Sequence, residues 1–101
     1  MKWRLDTSLT TAANGQELAR ALLVAMQSDH VEIDFADVVV CTPSFANAFV
    51  MTVLEQVSIE NFKARCALDN RRPEVAEILN RAAVRFQQGI RLSNQRHATV
   101  A

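Results

Sequence analysis

The side chains best suited to chemistry lie in one segment, where two carboxylates are followed by two hydroxyls. Asp34 and Asp37 come first, and Thr42 and Ser44 follow on either side of Pro43. A hydroxyl at the start of a helix can carry a phosphate favourably, because the helix N-terminus offers unpaired N–H groups and partial positive charge. It can also simply cap the helix. The segment therefore predicts either a phosphorylation site at Ser44 or a capping role for Thr42 or Ser44.

The aspartate pair has its own alternatives. Two neighbouring carboxylates can bind a metal ion or act in acid–base catalysis. Neither aspartate has a histidine beside it, and their spacing matches neither a calcium loop nor a two-carboxylate catalytic pattern. We therefore expect Asp34 and Asp37 to make turn hydrogen bonds, and we assign neither a catalytic nor a metal-binding role to them.

The strands and helices around this segment are predicted from the spacing of apolar residues and from residues that cap or begin helices. Apolar residues alternate with acidic ones over 31–35, which indicates a half-buried strand, and a β-branched run over 38–41 extends it past a short break. Thr42 suits an N-cap and Pro43 the first helical position, so a helix is predicted over 43–56. Ser44 thus falls at a strand-to-helix turn, where open α/β sheets usually meet their ligands and partners.

The remaining elements complete an alternating order. Residues 1–5 suggest a short edge strand, and Asn14-Gly15 a turn or cap before a helix that ends at Gln27. A connection over 59–63 is followed by a buried strand over 64–69, then by a helix that begins near Pro73 and stops at Gly89. The order β-α-β-α-β-α predicts an α/β fold with a largely parallel sheet and helices packed on it. We expect one domain over 1–89 and a tail or short strand over 90–101.

Composition narrows the classes of function. Eleven basic and eleven acidic residues give a formal net charge of zero, which argues against nucleic acid or a membrane surface as the partner. Cys41 and Cys66 lie in apolar runs and are expected to be reduced core residues, as in a cytoplasmic protein. His30 and His97 are isolated, so neither a metal ion nor a cofactor is predicted. The mean hydropathy of +0.02 does not suggest a membrane protein.

The helix after Ser44 is more apolar than a one-sided surface helix requires, since its apolar residues between 45 and 57 cover more than one stripe. Two explanations remain open. A neighbouring helix could bury the second face, or that face could dock a partner, including a second copy of the chain.

Two motifs carry a family resemblance. The run Asp34-Phe35-Ala36-Asp37-Val38, followed by Ser44-Phe45-Ala46, resembles the STAS-like group, small relatives of the STAS domains of bacterial anti-sigma factor antagonists. The resemblance covers residues 15–88. It implies that Ser44 falls where antagonists carry a serine phosphorylated by a histidine-kinase-like ATPase. The chain departs from the antagonists in reading Thr42-Pro43-Ser44-Phe45 where they have Asp-Ser-Ser/Thr-Gly, and from the STAS-like group in having Asn47 and Ala48 where acidic residues are usual.

Together with the resemblance, these observations predict a non-enzymatic signalling module that binds a regulatory protein, either a kinase or ATPase or an anti-sigma-type partner, under the control of phosphorylation at Ser44. Its partner-binding residues are expected at and just after the strand–helix turn: Thr42, Ser44, Phe45, Asn47 and Phe49. The alternative is an assembly protein that forms a homodimer or a fixed complex through the apolar helix 45–57. A small enzyme that uses the aspartates or the cysteines is a third class, for which no substrate suggests itself.

Overall fold

The computed structural model describes the backbone of residues 1–100 and the side chains of residues 1–89. Three parallel strands form its main sheet, and two very short strands form a second one. In chain order the strands are β1 (Lys2–Arg4), β2 (Ser8–Leu9), β3 (Val31–Asp34), β4 (Val40–Cys41) and β5 (Cys66–Asp69). The main sheet has the order β1-β3-β5, and β2 pairs with β4.

Four helices accompany the strands: α1 (Ala12–Met26), α2 (Pro43–Leu54), α3 (Ile59–Arg65) and α4 (Pro73–Val100). Helix α2 packs against both α1 and α4. The core between the helices and the main sheet is centred on fully buried side chains that include Leu22, Ile33, Phe35, Phe45, Phe49 and Val75. The predicted α/β fold with a parallel sheet and packed helices is therefore confirmed.

The strand-like run over 38–41 does not extend the strand predicted over 31–35, which is β3. Its last two residues form β4, which pairs with β2 in parallel register, Ser8 opposite Val40 and Leu9 opposite Cys41. Thr42 N–H continues the ladder by donating to the carbonyl of Leu9 at 2.9 Å. Strand β2 gives no signal in the sequence, because two residues are too few to show a period of two.

The predicted turn at Asn14-Gly15 is wrong, because α1 already begins at Ala12. Thr11 is its N-cap, and its side chain accepts a hydrogen bond from Asn14 N–H at 3.1 Å. Gly15 is buried inside the helix and faces α2. Likewise, the connection predicted over 59–63 is α3, whose N-cap Ser58 accepts from Asn61 N–H.

The helix end predicted at Gly89 is also wrong, since α4 continues to Val100. Gly89 does not adopt the positive φ of a helix-ending glycine, and a glycine inside a helix costs only about 1 kcal/mol relative to alanine. A strand within 90–100 is thereby ruled out, whereas the side chains there and Ala101 lie outside the described residues. Over the part of the chain that the structure covers, no helix combines the length and apolar content needed to cross a membrane.

Candidate functional site

The turn between β4 and α2 is organised by the hydroxyl of Thr42. Its Oγ1 accepts a hydrogen bond from Phe45 N–H at 3.3 Å and donates one to the carbonyl of Thr10 at 2.8 Å. The first bond caps α2, and the second ties the start of the helix to the segment before α1. Pro43 occupies the first helical turn as predicted. Thr42 is therefore the capping residue, and its hydroxyl both donates and accepts a hydrogen bond within the fold.

Ser44 lies two residues after Thr42 and is exposed. Among the side chains and backbone groups that the structure describes, none forms a hydrogen bond with its hydroxyl. The first turn of α2 reads Pro43-Ser44-Phe45-Ala46 and carries no charge. Ser44 thus presents a free hydroxyl beside the partial positive charge of a helix N-terminus.

The outward strip of α2 is narrow. Ser44 and Met51 are exposed, and Asn47 is half-buried between them, at the three- and four-residue steps that place side chains on one helix face. Met51 keeps 48% of its surface accessible. We call Thr42, Pro43, Ser44, Asn47 and Met51 the turn surface.

The two phenylalanines predicted to contact a partner do not belong to this surface. Phe45 and Phe49 are each only 1% exposed. Their rings stack on each other at a centroid distance of 6.2 Å, and Phe49 also packs edge-on against Phe62 at 6.4 Å. Both are core residues, because α1 and α4 cover the apolar faces of α2. The explanation by a neighbouring helix therefore accounts for most of the apolar content of this segment.

Asp34 lies at the carboxyl end of β3 and is nearly buried, at 7% exposure. Its Oδ1 accepts hydrogen bonds from Ala36 N–H at 2.9 Å and from Asn70 Nδ2 at 3.0 Å. Arg4, at the end of β1, lies 3.9 Å from Asp34 Oδ2 and 3.2 Å from Asp37 Oδ2. The carboxylate therefore makes the turn hydrogen bond expected of it and also joins the ends of all three strands of the main sheet.

These contacts set the ionisation of Asp34. The hydrogen bond from Asn70, and next that from Ala36, hold the pKa of the carboxyl below its ordinary value of 3.8, with Arg4 adding to the effect against the opposing influence of burial. Asn70 reaches Asp34 from a left-handed backbone conformation, with φ of 58°, which asparagine tolerates better than most residues. Arg4 and Asn70 were missed by the sequence analysis, since nothing in their local sequence places them beside Asp34.

The two cysteines are buried and free. Cys41 lies in β4 and Cys66 in β5, so they belong to different sheets. Burial raises the pKa of both thiols, and burial together with the Asp69 carboxylate raises that of Cys66 to about 11. At neutral pH both are protonated, which is the state of a core residue and not of a nucleophile. Within the side chains described, no three of His, Cys, Asp and Glu come together as a metal site.

Comparison of the chain with protein-family models, with curated proteins and with solved structures found no match.

Proposed function

We propose that this protein is a non-enzymatic signalling module that binds a regulatory protein through the turn surface. The observation that carries the proposal is the difference in hydrogen bonding between two hydroxyls of the same turn, those of Thr42 and Ser44. The Thr42 hydroxyl caps α2 and makes two hydrogen bonds within the fold, whereas the Ser44 hydroxyl is exposed and makes none among the described residues. A hydroxyl without a structural role, on an exposed turn held by Thr42, is free to take part in recognition.

Phosphorylation of Ser44 would convert this surface from uncharged to anionic. A phosphoserine carries about −1.5 to −2 charge near neutral pH. The dianion would be tolerated by the fold, because it would lie at the N-terminus of α2. It would oppose a partner that packs an apolar surface against Met51, because the phosphate would have to be desolvated. The turn surface can therefore work as a switch without any rearrangement of the domain.

The partner class comes from the resemblance to STAS-like proteins, which implies a kinase or ATPase of the histidine-kinase-like class. A cytoplasmic setting is part of the proposal, since both cysteines are free, buried and protonated. Assembly through helix 45–57 has less support, because the large apolar side chains at Phe45, Phe49 and Val53 already serve the core of the same chain.

The test is capture of partners from the native cell with the intact chain, followed by mapping of phosphate on the captured protein. We expect an ATPase in the complex and ATP-dependent phosphate on Ser44. Ser44→Ala should remove that phosphate, and Ser44→Asp should weaken capture. Ser28→Ala is the matched control, because Ser28 is also exposed but follows α1, outside the turn surface.

Two results would count against the proposal. If Ser44→Ala and Ser44→Asp capture the same partner as the unchanged chain, with the same dependence on ATP, the switch is absent. If the chain recovers only itself, and light scattering shows a dimer that Met51→Glu dissociates, the protein is an assembly module.

A further inference from the structure

A second surface lies at one edge of the main sheet, where β5 borders a groove of about 640 Å³. All four residues of β5 line the groove. Its apolar lining comes from α2, α3 and α4, through side chains such as Val53, Phe62 and Val84. Val84 is 51% exposed, so the groove is open to solvent along α4. It shares no residue with the turn surface, although residues of α2 contribute to both.

The backbone of β5 leaves hydrogen-bonding groups on the groove side. Because β5 is the last strand in the order β1-β3-β5, its other side has no strand neighbour among the described residues. The carbonyl of Asp69 accepts from Phe35 N–H at 2.8 Å and so points towards β3. Successive residues of a strand alternate in direction, so the N–H and C=O of Leu68 point away from the sheet. No backbone partner for either group occurs among the described residues.

A cationic side chain lies beyond each end of β5. Lys63 precedes β5, Arg71 follows it, and both line the groove. Asp69 is the single carboxylate among the groove residues and lies two residues before Arg71. The arrangement is thus an apolar centre beside an unpaired strand edge, with a cation towards each end.

We propose that the edge of β5 binds an extended segment of a partner protein, apolar at its centre and acidic at its ends, by β-strand addition. The N–H and C=O of Leu68 pair with the backbone of the segment. Its central side chains enter the groove, and its acidic ends meet Lys63 and Arg71. A free strand edge with one covered face is the geometry that such peptide recognition uses.

The probe is an acetylated and amidated heptapeptide with valine and leucine at its centre and two glutamates at each end. A second heptapeptide has lysine in place of every glutamate. We expect titration of the isotope-labelled protein with the acidic peptide to shift the amide resonances of β5, Lys63 and Arg71, and to protect Leu68 N–H from hydrogen exchange. The lysine peptide should bind about tenfold more weakly, the size expected for several exposed charge contacts.

Reversal of the charges gives the sharpest control. The double variant Lys63→Glu, Arg71→Glu should lose affinity for the acidic peptide and gain it for the lysine peptide. Arg20→Glu, an exposed reversal on α1, should change neither. Leu68→Pro removes the outward N–H without touching a bond to β3, and should abolish binding. If Leu68→Pro does not fold, the charge swap decides.

Equal binding of the two peptides, or resonance shifts at the turn surface in place of β5, would overturn the proposal. A second result would also overturn it. If the amide resonances of β5 shift with increasing protein concentration in the absence of peptide, the edge is occupied by a second copy of the chain. Ser44→Ala should leave peptide binding unchanged, so the edge of β5 and the turn surface can fail independently.

Discussion

Replacement of Gly15 by alanine should destabilise the protein, although alanine is the better helix former. A Cβ built on Gly15 lies 2.5 Å from the carbonyl oxygen of Phe45, 3.1 Å from the backbone nitrogen of Phe49 and 3.2 Å from Ala48 Cβ. The nearest of these atoms is backbone, so no side-chain rotation relieves the contact. The methyl group would therefore push α1 and α2 apart.

The size of the effect follows from two opposing contributions. Alanine in place of glycine inside a helix stabilises it by about 1 kcal/mol. Relief of the contact requires a separation of roughly 1 Å between the helices, since ordinary carbon contacts lie at about 3.5–4.0 Å, and overpacking of this kind typically costs about 1–3 kcal/mol. Because backbone blocks the methyl group, we expect the upper part of that range, and a net loss of about 1–2 kcal/mol.

Gly89→Ala is the matched control, because Gly89 also lies inside a helix but a Cβ there meets nothing within 4 Å. It should raise the free energy of unfolding by up to about 1 kcal/mol. Urea denaturation followed by far-ultraviolet circular dichroism measures both changes. If Gly15→Ala stabilises the protein as much as Gly89→Ala does, a methyl group at residue 15 does not force α1 and α2 apart, and the prediction is wrong.

Two further predictions concern buried ionisable groups. The lowered pKa of Asp34 means that its contribution to stability is complete above its ordinary value of 3.8 and is lost as the pH falls through the lower folded value. Asp34→Asn should therefore reduce the loss of stability at acid pH in a plot of the urea midpoint against pH. Asp6→Asn, at an exposed carboxylate, should leave that part of the plot unchanged. Parallel curves for Asp34→Asn and the unchanged chain would contradict the prediction. Cys66 is buried and its thiol has a pKa of about 11, so a disulfide reagent at pH 8 should label it only as fast as the protein opens. Urea should therefore accelerate the labelling steeply. Rapid labelling of the native protein would contradict this, because it would show that the thiol is accessible.

The sequence predicted those parts of the fold that depend on neighbours along the chain. The cap at Thr42, the helix start at Pro43 and the strand at 31–35 each carry a local physical signal, and each lies within a residue or two of its predicted place. The α/β class followed from their order. The helix end expected at Gly89 failed because a glycine stops a helix only where the backbone turns left-handed, and at Gly89 it does not.

The remaining features depend on contacts between distant segments. Gly15 looks like a turn residue in sequence, but its lack of a side chain serves the approach of α1 to α2. Asn70 and Arg4 gain their roles only when parallel strands bring their ends together around Asp34. No local pattern distinguishes a glycine that ends a helix from one that admits a neighbouring helix, so the sequence could not predict this contact.

The burial of Phe45 and Phe49 changes what the turn surface can recognise. With both rings in the core, a partner would meet Ser44, Asn47 and Met51, a mixed surface with little apolar area and no charge of its own. Interfaces of this kind gain little from hydrophobic burial and are therefore sensitive to a single added charge. A phosphate on Ser44 would then dominate the electrostatics of the whole surface, which is what a switch requires.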